Sequence, residues 1–187
     1  MNSQEYRPSP LAAVDRTLSA GRWTLVFTRD LSHPVETVWA AITDPEHLRD
    51  WAPYRPSRDL RSVGEATLTM QGDDLAPGDE LPGTVLRVEP PHILEHRWGE
   101  DTLRWELAPT GEGTRLTLRH TVQDERMLSA MAAGWHICLD VADALLAGVP
   151  FGPVVGTKAR EYGWDRLNVE YAQSLGIDPA QVWTPSE

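Results

Sequence analysis

The sequence predicts an α+β domain: a curved antiparallel sheet wrapped around one long helix near the C-terminus, with two short helices after the first strand. Three observations predict it. Residues 22–31, and several short runs between 57 and 123, alternate apolar and polar side chains at the period of half-buried strands, with turn residues between them. Residues 125–147 carry a broad apolar stripe at helical spacing. Residues 31–51, LSHPVETVWAAITDPEHLRDW, set a proline ahead of each of two short helical patterns.

The elements follow in order. Residues 1–21 are polar and hold two prolines, so they read as an N-terminal tail with one helical turn near Leu11–Leu18. Trp23, Leu25, Phe27 and Leu31 alternate with Thr24, Thr28 and Asp30, which makes 22–31 a strand. Pro34 opens the first short helix, with Ser32 or His33 placed to cap it, and Val35, Val38, Trp39 and Ile42 form its apolar face. Pro45 opens the second, capped by Asp44 and finishing on Trp51. Ala66–Met70, Thr84–Val88, Leu94–Trp98, Thr102–Leu107 and Arg115–Val122 then read as antiparallel strands. Residues 73–83 form a loop with two prolines and two glycines, Pro90 and Pro91 break the sheet pattern, and Gly111 and Gly113 mark a hairpin.

Leu128, Met131, Trp135, Cys138, Leu139, Ala142, Leu145 and Leu146 make the stripe of the long helix, which Gly148 and Pro150 end. Ser129, Ala133, His136, Asp140 and Asp143 fall on the face assigned to water. The chain thus divides into a tail (1–21), a domain (22–149) and a C-terminal extension with one helix (150–187). In that last helix Trp164, Leu167 and Tyr171 give an apolar edge that docks on its own domain or on a second copy, as a homodimer.

Composition narrows the function classes. The 187 residues are 41% hydrophobic and 24% charged, as in globular proteins, and no apolar run approaches the roughly 20 residues that span a bilayer. A net charge of −11 argues against a nucleic-acid or anionic membrane surface, both of which need clustered Lys and Arg. Residues 1–16 lack the apolar core of a signal peptide, and the single cysteine, Cys138, fits the reducing cytoplasm. Eight tryptophans against two phenylalanines is an unusual aromatic balance, suited either to core packing or to lining a cavity.

Strand period assigns the inner face. Leu94, His96 and Trp98 share one side, as do Leu103, Trp105 and Leu107, and Leu116, Leu118 and His120. His96 and His120 therefore sit among leucines and tryptophans, either as hydrogen-bonded core histidines or as polar handles for an apolar ligand. Trp51, Tyr54, His96, Trp98, Trp105, His120, Met131 and Trp135 are the candidate cavity residues. Arg29 shares the apolar face of its strand and is expected to snorkel or pair with a carboxylate. His136 and Asp140, one turn apart, read as a solvated pair, and no motif for a metal, a cofactor or a catalytic nucleophile is present.

Four segments, HPVETVWAAITDPEHLRDW (33–51), VLRVEPPHILEHRW (85–98), WELAPTGEGTRLTLRHT (105–121) and GWHICLDVADALLAG (134–148), carry a resemblance in the right order. The chain resembles the helix-grip (START-like, SRPBCC) superfamily, and within it the bacterial homologues of the activator of heat-shock protein 90 ATPase. The resemblance spans about residues 22–148, and relatives also carry a tail like 161–176. It implies a sheet gripping the long helix, with a cavity for apolar ligands between them. A chaperone role does not follow from it, since the eukaryotic activator has an additional amino-terminal domain for which 21 residues are too few.

The favoured reading is a binder of a small hydrophobic molecule that does little or no chemistry. One alternative is an enzyme of the polyketide cyclase or dehydratase type with His96 and His120 as acid/base groups. The other is an interaction module, for a chaperone or for self-association.

Overall fold

Nine strands and five α-helices are seen among the residues described by the computed structural model, which are 6–72, 79–178 and 182–184. Strands β1 (Ala13–Ser19) and β2 (Arg22–Leu31) lead into α1 (Val35–Thr43) and α2 (Pro45–Leu48). Next come β3 (Tyr54–Pro56), β4 (Thr67–Met70), β5 (Glu80–Pro82), β6 (Val85–Glu89), β7 (Ile93–Trp98), β8 (Asp101–Pro109) and β9 (Thr114–Val122). A single 3-10 turn, Glu125–Met127, precedes α3 (Leu128–Leu146), and α4 (Lys158–Glu161) and α5 (Trp164–Leu175) follow. The main sheet is antiparallel with the order β1-β2-β9-β8-β7-β6, and β3-β4-β5 form a second, smaller one. The curved main sheet carries α3 against its apolar face.

Several local expectations are corrected. Residues 13–19 are not a tail with a helical turn: β1 is an edge strand paired with β2 from Ala13 opposite Thr28 to Ser19 opposite Arg22. Ala20 and Gly21 both have positive φ, 48° and 75°, the geometry of a tight two-residue hairpin turn. Ala in the first turn position, where Asn or Asp is usual, hid that hairpin. The first helix has Pro34 at its N-cap, with no side-chain cap from Ser32 or His33. The Pro34 carbonyl accepts from Thr37 and Val38 N–H, and His33 pairs with Asp143 at 3.1 Å instead. Asp44 does cap the second helix, accepting the Glu46 N–H at 3.0 Å. Of the loop expected over 73–83, residues 73–78 lie outside the described residues, and Glu80–Pro82 pair with β4 as β5. Gly113, with φ of 154°, closes the β8–β9 hairpin where a Cβ would lie 2.1 Å from the Leu31 carbonyl oxygen, so only glycine fits.

The largest correction concerns the face of α3 assigned to water. Twelve of its 19 residues are buried, including Ser129, Ala133 and His136, so the helix must be covered on both sides. The sheet covers one side and α5 the other, through Trp164, Leu167 and Tyr171. The apolar edge of α5 is thereby used within its own chain.

Polar groups on this buried face form one hydrogen-bonded cluster around Asp140. The Tyr6 hydroxyl donates to Asp140 Oδ2 at 2.5 Å, the Ser9 N–H donates to the same oxygen at 3.2 Å, and Arg29 lies 2.5 Å from Oδ1. Arg29 therefore pairs with a carboxylate, one carried by the long helix. The Tyr171 hydroxyl accepts from the Ala12 N–H at 3.0 Å and donates to His136 Nδ1 at 2.8 Å. His136 Nε2 faces Asp140 Oδ2 at 3.4 Å. Burial pushes the Asp140 carboxyl up, but the His136 N–H, the Arg29 charge and the Tyr6 hydroxyl outweigh it and hold the group well below the usual carboxylate range.

Asp140→Asn is expected to cost about 3–5 kcal/mol in a denaturant titration, because it strands the buried Arg29 charge. In the wild type the stability tied to this carboxylate is complete above the unfolded value of about 3.8 and lost as pH falls from there through the depressed folded value. A loss under about 1 kcal/mol in the variant would mean that the cluster does not hold the termini to α3.

Candidate functional site

The interior between sheet and α3 is filled by aromatic rings. Trp51, Tyr54, Trp105 and His96 are fully buried and His120 nearly so. Trp51 meets Trp105 edge-on at 6.2 Å between centroids, Trp105 meets Trp135 at 5.2 Å, and Trp135 meets Trp98 at 5.6 Å. Trp51 also donates its Nε1–H to the Ala41 carbonyl at 3.0 Å, locking the segment after α2 onto α1.

Both inner histidines have assigned work. His96 donates from Nδ1 to the Arg97 carbonyl at 2.9 Å and accepts the Tyr54 hydroxyl on Nε2 at 3.2 Å. His120 accepts the Trp135 Nε1–H on Nδ1 at 3.1 Å, stacks on Trp98 at 5.2 Å, and points Nε2 toward Asp101 Oδ2 at 3.6 Å. Burial drives the imidazolium of each down, that of His96 to about 4. Both are neutral at pH 7.

Open volume lies at the edge of this packed interior. A cleft of about 250 Å³ runs between α3 and the segment 153–160, roofed by Trp164 and Trp183 and floored by Trp98 and Trp135. At ~30 Å³ per water it has room for roughly eight water molecules, the bulk of a two- or three-ring compound. Of the eight residues expected from the sequence, Trp98, Met131 and Trp135 line the cleft. Trp51, Tyr54, His96, Trp105 and His120 do not, because strand period reports the inward face but not how completely the large indoles fill it. A wider and more open depression lies beside the start of α1 at Ser32–Glu36, the Pro91–His92 turn and the β8–β9 hairpin, away from the aromatic cluster.

The roof is built by the C-terminal extension. Gly163, in the left-handed region with φ of 89°, turns the chain into α5 and sets Trp164 over α3. Gly134 on α3 leaves space there: a Cβ would sit 3.9 Å from Trp164 Nε1. Trp183 contacts Trp164 edge-on at 6.3 Å and is held by its own backbone, its N–H donating to the Arg126 carbonyl at 3.2 Å and its carbonyl accepting from Asn168 Nδ2 at 3.1 Å. Sequence reasoning placed Trp164 only at a docking edge and gave Trp183 no role. Its one available signal was a lone tryptophan in a polar terminus.

Among the described residues, those lining the cleft include no Asp, Glu, His or Lys. Cys138 lines it, but burial raises its thiol to about 12, so it carries no thiolate at neutral pH. Among the described residues no three His, Cys, Asp or Glu side chains gather where they could hold a metal, and no helix is long and apolar enough to cross a membrane.

The sequence matches the family model for "Activator of Hsp90 ATPase homolog 1-like protein" over residues 32–147, well over half of the chain. The chain belongs to this family. No curated protein matches it. This AHSA1-like chain is similar to the crystal structure of CalU16 from Micromonospora echinospora, with a TM-score of 0.65 and 24% identity over 87% of this chain and 96% of that one. The solution structure of CalU16 gives 0.67 and 23% over 95% and 97%. NE0264 from Nitrosomonas europaea gives 0.58 and 27% over 71% and 98%. The AHSA1-like fold, a curved antiparallel sheet around a long helix, is of the helix-grip type.

Two outcomes follow from the site's titrating groups. Because the unfolded chain takes up a proton at His96 before the native protein does, the stability linked to this residue is complete above pH 6.5. It should be lost, by roughly 3 kcal/mol, as pH falls to about 4. An imidazole NMR titration should find His96 neutral to near pH 4, and a midpoint above 6 would contradict its sealed position. Cys138 should resist alkylation by iodoacetamide at pH 8 in the native protein and react on unfolding.

Proposed function

We propose that the protein binds a small hydrophobic molecule in the cleft between α3 and the C-terminal extension and releases it unchanged. The observation that carries this reading is the lining of the cleft: mostly indole, thioether and aliphatic groups, with one guanidinium, one hydroxyl and one protonated thiol, and among the described residues no carboxylate or imidazole to move a proton. A largely apolar concave site with few polar groups is the usual form of a small-molecule pocket. Trp98, Met131, Trp135 and Trp164 form its contact surface. The enzyme alternative loses its acid/base pair, since His96 and His120 are enclosed, neutral and engaged with Tyr54 and Trp135. The reading places the protein in the cytoplasm, where the free thiol of Cys138 stays reduced.

Gly134 supplies the test. Gly134→Leu keeps the helix, whose propensity it raises by up to about 1 kcal/mol, and fills the cleft. Calorimetric titration with a panel of two- and three-ring apolar compounds should find binders in the micromolar range. For these, Gly134→Leu should weaken binding at least tenfold while thermal stability is unchanged or higher. His96→Gln should leave binding within a few-fold, and mass spectrometry should recover the bound compounds unaltered. Equal binding by Gly134→Leu and wild type would exclude this cleft, and conversion of a bound compound would exclude a pure binder.

A further inference from the structure

Few polar side chains reach the cleft among the described residues: the Trp164 indole, the Arg160 guanidinium, the Thr157 hydroxyl and the Cys138 thiol. Trp98 and Trp135 spend their N–H groups outside it, on Met70 Sδ at 3.2 Å and on His120 Nδ1 at 3.1 Å. Trp164 is 7% exposed and turns its Nε1 edge toward Gly134 on the cleft wall, where its N–H meets no acceptor among the described residues. At the wall of an open cleft that N–H is a donor a ligand can reach. Beside it, Arg160 is the one charged side chain of the lining. Its ion pair, with Asp165 at 3.3 Å, uses Nε and is half open to solvent, so it contributes little, and no partner of the two terminal nitrogens is seen among the described residues. Lys158, two residues away, is engaged elsewhere: it donates to the Pro153 carbonyl and lies over the Tyr162 ring.

Among the described residues the cleft thus presents apolar walls, an indole N–H, a forked guanidinium and one hydroxyl, and no side-chain carboxylate or imidazole. With a cation as its one formal charge, such a wall suits a ligand whose polar end accepts hydrogen bonds and carries negative charge. From this, and resting on the binding role proposed above, we infer that the ligand class is a flat hydrophobic carboxylic acid. Its ring system lies among Trp98, Met131, Trp135 and Trp183, and its carboxylate is held by Arg160 and the Trp164 N–H. A guanidinium can grip a carboxylate with two parallel hydrogen bonds, which a neutral amide cannot reproduce. The chain's net charge of −11 repels anions at long range, so the local anchor decides whether an acid is preferred over a neutral analogue.

Matched probes test this: 1-naphthoate and 1-naphthamide, which share a ring body and differ in the charged end. Calorimetry at pH 7.5 on the full chain should give naphthoate at least a tenfold lower Kd than naphthamide, with the advantage shrinking as salt is raised. Arg160→Gln, on an exposed position that leaves the fold intact, should abolish that advantage while naphthamide binding stays within twofold. Trp164→Phe, which keeps the ring and deletes the N–H, should weaken naphthoate several-fold and naphthamide less. Equal affinities for the two probes, or an advantage that survives Arg160→Gln, would overturn the carboxylate anchor and leave hydrophobic binding in place. No binding of either probe at millimolar concentration, with the apolar panel also silent, would remove both readings together.

Discussion

A carboxylate cannot be left uncompensated inside a protein, and Asp140 is buried on the long helix, so donors must be brought to it. They come from widely separated parts of the chain: Tyr6 and Ser9 from the N-terminal segment, Arg29 from β2, and His136 from α3 itself. Tyr171 of α5 joins through His136, and Ala12 joins through Tyr171. Each partner sits on an element that also contributes apolar contacts. The cluster therefore specifies where those elements lie as much as it stabilises them, and an apolar residue at position 140 would leave Arg29, the Tyr6 hydroxyl and the Ser9 N–H without this acceptor. Arg29 shows the logic most clearly, as the charged residue at an inward position of a strand whose other inward side chains are apolar.

A second constraint is volume. Four tryptophans, Trp51, Trp105, Trp135 and Trp98, run in edge-on contact from α1 toward the mouth of the cleft. They occupy space that in a helix-grip architecture can be left open, which moves the remaining free volume to the edge of α3. Gly134 and the small residue Ala130 on that edge then matter because they keep side-chain bulk away from the roof.

Much of the fold was legible because it follows from period. Inward triplets such as Leu116, Leu118 and His120 could be read by alternation, and the Val35, Val38, Trp39 and Ile42 face of α1 by helical spacing. What was not legible depends on partners far away in sequence. Strand β1 looked like a tail because its turn uses Ala20 where a more diagnostic residue would have announced a hairpin. His136 and Asp140 looked solvated because periodicity can say that a helix face is polar, but not that tyrosines and an arginine will cover it. The cleft was half legible for the same reason: Trp98, Met131 and Trp135 belong to regular elements, whereas the roof comes from a terminal segment whose position is set by tertiary contacts alone.

The buried carboxylate and the cleft are joined through α5. Trp164 and Tyr171 are seven residues apart, two turns, so they lie on one face of that helix about 10 Å from each other. The docking that lets Tyr171 reach His136 is the same docking that sets Trp164 above Gly134. Along α3 the two contact points are almost adjacent, at residues 134 and 136. A rigid helix pinned at one end by a hydroxyl–imidazole bond cannot lift its other end without either breaking that bond or bending. The width of the cleft is therefore set from below by the packing of Trp98 and Trp135 and from above by a polar cluster that touches no part of the cleft itself. Chemistry that loosens the cluster therefore reaches the cleft through α5.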